Sequence, residues 1–443
     1  MEREIPQGWN LLKVSEVMQE VRDKIDPRNY EITNYLGLEH FESNKGIVSK
    51  GHSSNLKSTK TRFKAGDVLY GKLRPYLNKH SVVNFDGICS TDILVYRNEN
   101  ETTSRYFNYY LDRKETISEA VKESKGINLP RVSAKSLAEF NIPVPQLPEQ
   151  KQIVAKLDAL FGHLEVLREK LDRIPELLKN FRQSVLTQAV TGKLTEEWRE
   201  GKENLTSGNE LILTALKEKE KTLDISITDD ELHPFQIPDS WAFAKLETFG
   251  TLKRGKSKHR PRNDPKLFGG KYPFIQTGEV ANAYWYIEEY KKTYSELGME
   301  QSRLFPKGTL CITIAANIAE TGILSFDSCF PDSVVGYNSY NDIYKEEFAM
   351  IYIKTIQKEL EHYAPSTAQK NINLKLLNDV LFPVPNKEEI DEILNRVNSL
   401  MNLADRIESH YKSLKQKVDT LPQAILNKAF KGELVEREET TDS

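Results

Sequence analysis

Asn141-Ile142-Pro143-Val144-Pro145 returns 240 residues later as Leu381-Phe382-Pro383-Val384-Pro385, and this recurrence decides the fold. The same offset holds without a gap from Arg131–Pro145 to Asn371–Pro385. Upstream it lays Cys89 and Asp92 on Cys329 and Asp332, and downstream it lays Gln183-Ser184-Val185-Leu186 on Gln423-Ala424-Ile425-Leu426. Gly192-Lys193-Leu194 then matches Gly432-Glu433-Leu434. At the front of each copy, Ile5-Pro6-Gln7-Gly8-Trp9 answers to Ile237-Pro238-Asp239-Ser240-Trp241. One offset kept over about a hundred positions reads as a tandem duplication rather than a single catalytic domain.

Each copy has a globular part followed by a helical part. After Pro148 the apolar positions are Ile153, Leu157, Leu160, Phe161, Leu164, Leu167, Leu171 and Ile174; the second copy has Ile390, Ile393, Val397, Leu400, Ala404, Ile407, Tyr411, Leu414 and Val418. This is heptad-like spacing with charges between. The Pro-Val-Pro elements block helix upstream, and Gly192 and Gly432 close each helix. Pro175 and Pro422 interrupt the patterns, so a bend or break is expected there. The first straight piece then runs from Glu149 to about Ile174, 26 residues or roughly 39 Å.

Each apolar seam needs a partner, and the other copy supplies one. The order globule–helix–globule–helix makes the helices antiparallel, with pseudo-twofold symmetry. The expected fold class is α+β: two globular β-rich domains separated by two long helices packed as an antiparallel coiled coil. The boundaries are 1–147 and 237–386 for the globules, 148–194 and 387–434 for the helical parts, 195–236 for a linker and 435–443 for a tail. In the linker, Ser207-Gly208-Asn209-Glu210 is a capping box that announces one short helix. Within the globules, Phe63-Lys64-Ala65-Gly66-Asp67-Val68 and Phe305-Pro306-Lys307-Gly308-Thr309-Leu310 each read as a turn entering a strand. Ser104–Lys122 and Lys345–Glu361 read as one helix each, while the middles of the globules do not align.

Composition excludes several classes. At 443 residues the chain has room for two to three domains. Its best apolar run, Leu310 to Ala319, contains Thr313 and Asn317 and is too short to span a membrane. The opening Met1-Glu2-Arg3-Glu4-Ile5-Pro6 lacks an apolar signal region, so a cytoplasmic protein is expected. Cys89, Cys311 and Cys329 show no metal or disulfide spacing. Cys89 and Cys329 are expected as small core residues, and Asp92 and Asp332 as caps or turn acceptors.

The net charge of −3 leaves nucleic-acid binding to local patches. Two exist. From Ser43 to Lys79 nine basic residues face one acid, Asp67; from Thr251 to Pro273 eight face Asp264 alone. Such runs are ordinarily solvated surface, but one in each copy suits phosphate contact. The candidates are Lys57, Lys60, Arg62, Lys72, Arg74 and Lys79 in the first copy. In the second they are Lys253, Arg254, Lys256, Lys258, Arg260 and Arg262. Asn55, Asn78, Asn263 and Gln276 are candidate readers of base edges.

Gly250-Thr251-Leu252-Lys253-Arg254-Gly255-Lys256-Ser257 satisfies a phosphate-loop pattern. Such a loop must open a helix, and Pro261 and Pro265 follow too closely for one. No HExxH, GxSxG, Gly-rich cofactor loop or metal-spaced histidine cluster occurs.

Three segments carry a family resemblance: Gly66-Asp67-Val68-Leu69-Tyr70-Gly71-Lys72-Leu73-Arg74-Pro75-Tyr76-Leu77-Asn78-Lys79, then Gly269-Gly270-Lys271-Tyr272-Pro273-Phe274-Ile275-Gln276-Thr277-Gly278-Glu279-Val280, and Asn141 through Val154. In this order the chain resembles the specificity subunit of type I restriction–modification enzymes. Asn386-Lys387-Glu388-Glu389 departs from the usual Leu-Pro-Glu-Gln. The resemblance implies two target recognition domains that read a bipartite asymmetric site in double-stranded DNA with a non-specific gap. It implies no catalytic centre and no cofactor in this chain. Two modification subunits would bring S-adenosylmethionine for adenine methylation; two restriction subunits would bring ATP, Mg and cleavage. Read without the resemblance, the residues also admit a helical scaffold that docks proteins, or a nucleotide-binding enzyme built on Gly250–Ser257.

Overall fold

The structure, a computed structural model, describes residues 5–29, 34–52, 56–202, 205–218, 234–315, 317–340, 343–362 and 372–436. The chain divides into two compact units, 1–173 with 411–443 and 174–410. Each unit therefore holds one globule, part of one long helix and part of the other.

Both globules are anchored by the Pro-Val-Pro strand. Asn141–Val144 pairs antiparallel with Asn10–Lys13, and Leu381–Val384 pairs with Ala242–Lys245. Proline donates no hydrogen bond to a ladder, which suits Pro143 and Pro383 to these two-stranded edges. Trp9 and Trp241 precede the first strands, each closing a turn by donating its backbone N–H to Pro6 or Pro238. Their indoles donate to carboxylates at matching places: Trp9 to Glu149 (3.0 Å), Trp241 to Glu389 (2.8 Å).

Two larger sheets form the body of each globule, and the first adds a two-stranded pair, Phe41–Glu42 with Gly46–Ile47. In the first unit a four-stranded sheet runs His80–Val82, Val68–Gly71, Ile93–Arg97, Gln19–Glu20; a five-stranded one runs Lys24–Ile25, Lys60–Phe63, Gly87–Cys89, Asn34–Leu36, Gly51–His52. The second unit repeats the first order with Thr321–Leu324, Leu310–Thr313, Val334–Ser339 and Gly250–Arg254, adding Tyr286–Ile287 at the edge. Its other sheet runs Leu304–Phe305, Ser328–Cys329, Phe268–Phe274, Lys292–Tyr294. Cys89 and Cys329 hold equivalent posts, each between one parallel and one antiparallel neighbour. Both thiols are fully buried, and burial pushes them up to about 12 and about 11. They are core residues, as expected.

The long helices are Leu147–Val190 and Lys387–Phe430, 44 residues each. Of the bend or break expected at Pro175 and Pro422, the break does not occur; both prolines lie inside a continuous helix. The reason is the seam. Leu157, Leu164, Leu171, Leu178 and Val185 recur every seventh position and are all buried, so the buried seam continues past Pro175. Ile390, Val397, Ala404 and Val418 keep the same register in the second helix. A lost backbone bond is outweighed when the flanking turns are held by tertiary burial. The first helix is therefore 44 residues long, not the 26 expected from Glu149 to about Ile174. Asp172 pairs with Lys415 (2.8 Å) in one unit, and Arg182 with Asp405 (2.8 Å) and Glu408 (2.7 Å) in the other. As residue numbers rise on one helix they fall on the other, so the pairing is antiparallel. Gly192 and Gly432 follow the helix ends in the left-handed region, φ 73° and 67°.

Two single helices expected in the globules are each split. Glu101–Leu111 is followed by Lys114–Lys122, and Glu346–Thr355 by Gln357–His362. In the first unit the split is held from outside: Gln423 Nε2 donates to the Asp112 carbonyl and Gln423 Oε1 accepts from the Lys114 N–H, both at 2.9 Å. The capping-box helix forms at Gly208–Glu218. It packs on the Ala242–Lys245 and Leu381–Val384 strands so closely that a Cβ on Gly208 would stand 2.1 Å from the Val384 carbonyl oxygen.

Candidate nucleic-acid interface

The two basic stretches do not occupy the same place in the two units. The stretch from Lys57 to Arg62 enters the strand Lys60–Phe63, whose counterpart in the second unit is Leu304–Phe305. The stretch from Lys253 to Arg262 continues from the strand Gly250–Arg254, whose counterpart is Gln19–Glu20. Yet the two positions are neighbours within a unit. In the first, the Arg62 N–H donates to the Asp23 carbonyl at 2.8 Å. In the second, Gln301 Oε1 accepts from the N–H groups of Lys258 (2.6 Å) and His259 (3.0 Å), and Ser302 Oγ donates to the Lys256 carbonyl (2.9 Å). Equivalent edges thus carry cations on different segments. In the first unit the other segment is neutralised locally, Arg22 by Glu20 (2.7 Å) and Arg28 by Asp26 (2.6 Å). The Arg28 guanidinium and N–H hold the Asp26 carboxyl at about 2.

A turn aspartate lies beside each cationic surface. The Asp332 carboxylate accepts from Arg262 Nη2 (2.8 Å), and its carbonyl accepts from Arg254 Nε. The equivalent Asp92 meets a different set of cations. Its carboxylate lies 3.3 Å from Arg131 Nε and 4.0 Å from Lys72 Nζ, and its carbonyl accepts from the Lys72 N–H (2.9 Å). Asp92 and Asp332 are therefore ion-pair partners that set cation positions, beyond the caps or turn acceptors expected. Their equal offset was the available signal; their partners, remote in sequence, were not legible.

The loop after Gly250–Arg254 is stapled at several points. Beyond the Gln301 and Asp332 contacts, His259 Nε2 meets Asp264 Oδ2 at 3.0 Å. The Lys266 N–H and His259 draw the Asp264 carboxyl below its usual range. A Cβ on Gly255 would stand 2.3 Å from the Pro331 carbonyl oxygen, so glycine permits the loop to lie against the turn before Asp332. The phosphate-loop pattern is thus a strand followed by a packed loop, and no α-helix begins until Thr277. Lys253, Arg254, Lys258, Arg260, Arg262, Asn263 and Gln276 are exposed, and Lys256 is half-buried.

In the first unit Lys57 and Arg74 are exposed, while Arg62, Lys72 and Lys79 are half-buried. Two expectations need correction. Lys60 is only 6% exposed, its Nζ donating to the Ser58 carbonyl (3.1 Å) and lying 5.8 Å from the Tyr35 ring. It is a poor phosphate ligand. Asn78 is buried too and donates to Asp112 Oδ1 (2.9 Å), so its amide braces the loop instead of lying at the surface. Lys79 Nζ is likewise directed to the Leu38 carbonyl (2.7 Å). Asn55 lies outside the described residues.

Sequence reasoning missed several polar pairs inside the units. Asp67, 1% exposed, accepts a bidentate bond from Arg97, both contacts at 2.7 Å. Thr309 and Asn338 take the equivalent places, next to Leu310 and Tyr337, and join by a neutral bond of 2.9 Å. His80 is buried between Asn108 Oδ1 (2.8 Å) and Asp112 Oδ1 (3.0 Å). Burial pulls its pKa down, but the Asp112 charge and hydrogen bonds to Asp112 and Asn108 outweigh it, and the net shift is upward.

Among the described residues, no cluster of His, Cys, Asp and Glu could hold a metal ion, and no helix is long and apolar enough to cross a membrane.

Comparison with known proteins bears on these surfaces. The family model of the type I restriction modification DNA specificity domain matches residues 6–176 and 238–416. The specificity subunit of the Escherichia coli type I restriction enzyme EcoDI is 33% identical over 221 residues, 49% of this chain and 49% of that subunit. That of EcoBI, also from Escherichia coli, is 27% identical over 350 residues, 76% of this chain and 67% of its own length. The matched stretch thus spans about half of the first relative. Among solved structures, the HsdS subunit of Thermoanaerobacter tengcongensis superposes with a TM-score of 0.67 at 21% identity, covering 98% of this chain and 99% of that one.

Proposed function

The chain belongs to the type I restriction–modification DNA specificity family, and from that premise we propose that it reads a bipartite, asymmetric site in double-stranded DNA on behalf of partner subunits. The observation that carries this reading is the pair of equivalent cationic edges, one in each unit, built from unrelated segments. Exposed Lys and Arg on such edges neutralise phosphates, and the loops between them reach base edges. Unlike loops on a repeated frame suit two unlike half-sites.

In this reading the chain has no catalytic centre and binds no cofactor. Two modification subunits bring S-adenosylmethionine and methylate one adenine on each strand; two restriction subunits bring ATP, Mg and cleavage; the complex works in the cytoplasm. The long helices dock the modification subunits through their exposed faces. Glu165 and Glu169 are exposed and available for this, whereas Asp172 belongs to the helix pair through Lys415. Reversing charge at Glu165 and Glu169 should weaken assembly more than folding.

Methylome sequencing of a host that expresses the chain with its modification subunit tests the proposal. The expected result is a motif of two unlike halves separated by a fixed non-specific gap. Deleting one heptad from both helices, about 10 Å from each, should change that gap. A continuous motif, or methyl transfer by the highly purified chain alone, contradicts the reading.

A further inference from the structure

Residues 125–131 form a small hairpin that the charge pattern gave no reason to notice. Lys125 and Arg131 exchange both backbone hydrogen bonds at 2.9 Å, and Gly126 turns the chain at φ 104°. The hairpin is fixed at its base to the loop that carries Lys72 and Arg74. The Arg74 N–H donates to the Pro130 carbonyl (2.7 Å), and the Val132 N–H donates to the Lys72 carbonyl (3.0 Å). Arg131 is tied to Asp92 as described.

The tip bears apolar side chains without cover from this chain. Ile127 is 101% exposed and Leu129 45%, while Tyr76 on the adjoining loop is 52% exposed. Lys125, Arg131 and Arg74 are exposed around them. An isolated surface isoleucine needs no explanation. This one stands at the tip of a short loop closed by the single Lys125–Arg131 bridge and ringed by cations, a projection whose charge is complementary to a DNA groove. The apolar feature that the major groove presents to such a side chain is the C5-methyl group of thymine.

We infer that Ile127 is a specificity-determining residue of the first unit, contacting a thymine methyl in the major groove while Lys125, Arg74 and Arg131 hold the flanking phosphates. The inference rests on the DNA-reading function proposed above. It places a base contact outside both basic stretches.

The test uses the full chain assembled with its modification subunits, as wild type and as Ile127→Ala. Full exposure makes the substitution harmless to folding, and co-purification of the modification subunit checks this. In the methylome, Ile127→Ala should relax one A·T position in one half of the motif and leave the other half and the gap unchanged. On a synthetic duplex, replacing that thymine by uracil removes only the methyl group. Wild type should then bind roughly tenfold more weakly, and Ile127→Ala should be indifferent. An unchanged motif in the variant, or equal sensitivity of both proteins to uracil, overturns the inference while leaving DNA reading intact. Loss of the modification subunit on Ile127→Ala overturns it in favour of a protein contact. Absence of any bipartite motif with wild type sinks the underlying function and this inference together.

Discussion

The two globules share a frame and differ in what the frame carries. Strand order, the buried cysteine, the turn aspartate and the indole–carboxylate bond repeat at matching positions. The cations do not: the first unit loads Lys57 and Arg62 on one edge segment, and the second loads Lys253 through Arg262 on its neighbour. Buried positions tolerate little change because packing and hydrogen-bond partners constrain them. Exposed edge positions are constrained only by what they meet. A duplicated scaffold can therefore hold geometry constant while each copy acquires its own reading surface.

The largest contrast should come from the two helix-start carboxylates. Glu389 is fully buried and accepts from Trp241 Nε1 (2.8 Å), Thr195 Oγ1 (2.7 Å) and Arg199, with Asn386 Oδ1 accepting from its N–H (2.8 Å). Glu389→Ala leaves a guanidinium unpaired in a closed site and should cost the second unit about 3–5 kcal/mol. Glu149, partly exposed, accepts from Trp9, and Glu149→Ala should cost the first unit about 1 kcal/mol. Hydrogen exchange of core amides reads each unit separately. Equal losses would break the contrast.

The Asp67–Arg97 pair against Thr309–Asn338 offers a swap. Asp67→Thr alone strips a nearly buried partner from Arg97 and should cost about 2–3 kcal/mol. Adding Arg97→Asn imports the neutral pair of the other unit and should recover more than half of the loss. A double variant no more stable than the single one would show that the two sites are not interchangeable.

A smaller, pH-dependent difference should follow from His80, which has no matching histidine in the second unit, where Thr321 opens the equivalent strand. Its folded pKa is raised above the ordinary 6.5. The stabilisation is fully present below pH 6.5 and is lost as pH rises through the folded value. Hydrogen exchange should show the stability gap between wild type and His80→Gln narrowing on that rise in the first unit alone. A gap that widens instead would mean that His80 is neutral when buried.

Much of this frame was legible in the sequence. The Pro-Val-Pro repeat, the heptads, the capping box at Ser207 and the closing glycines are local patterns, and each formed where expected. The helices running through Pro175 and Pro422 were not legible, because the compensating burial comes from residues more than 200 positions away. The interface was legible as charge but not as geometry. Composition identifies Lys60 and Asn78 as polar; only the fold reveals that both are buried. The departure at Asn386 became intelligible once Asn386 was seen capping Glu389.

The central claim is that the unlike edges are the DNA face, and salt dependence tests it most directly. In the assembled complex, Lys253, Lys256 and Lys258 replaced together by alanine should reduce the slope of log affinity against log salt. The reduction should be about 0.9 for each phosphate no longer neutralised, roughly 2.7 in all. Lys60→Ala, removing a buried lysine, should leave the slope unchanged. A triple variant with the wild-type slope and affinity would contradict the account and place the DNA elsewhere on the chain.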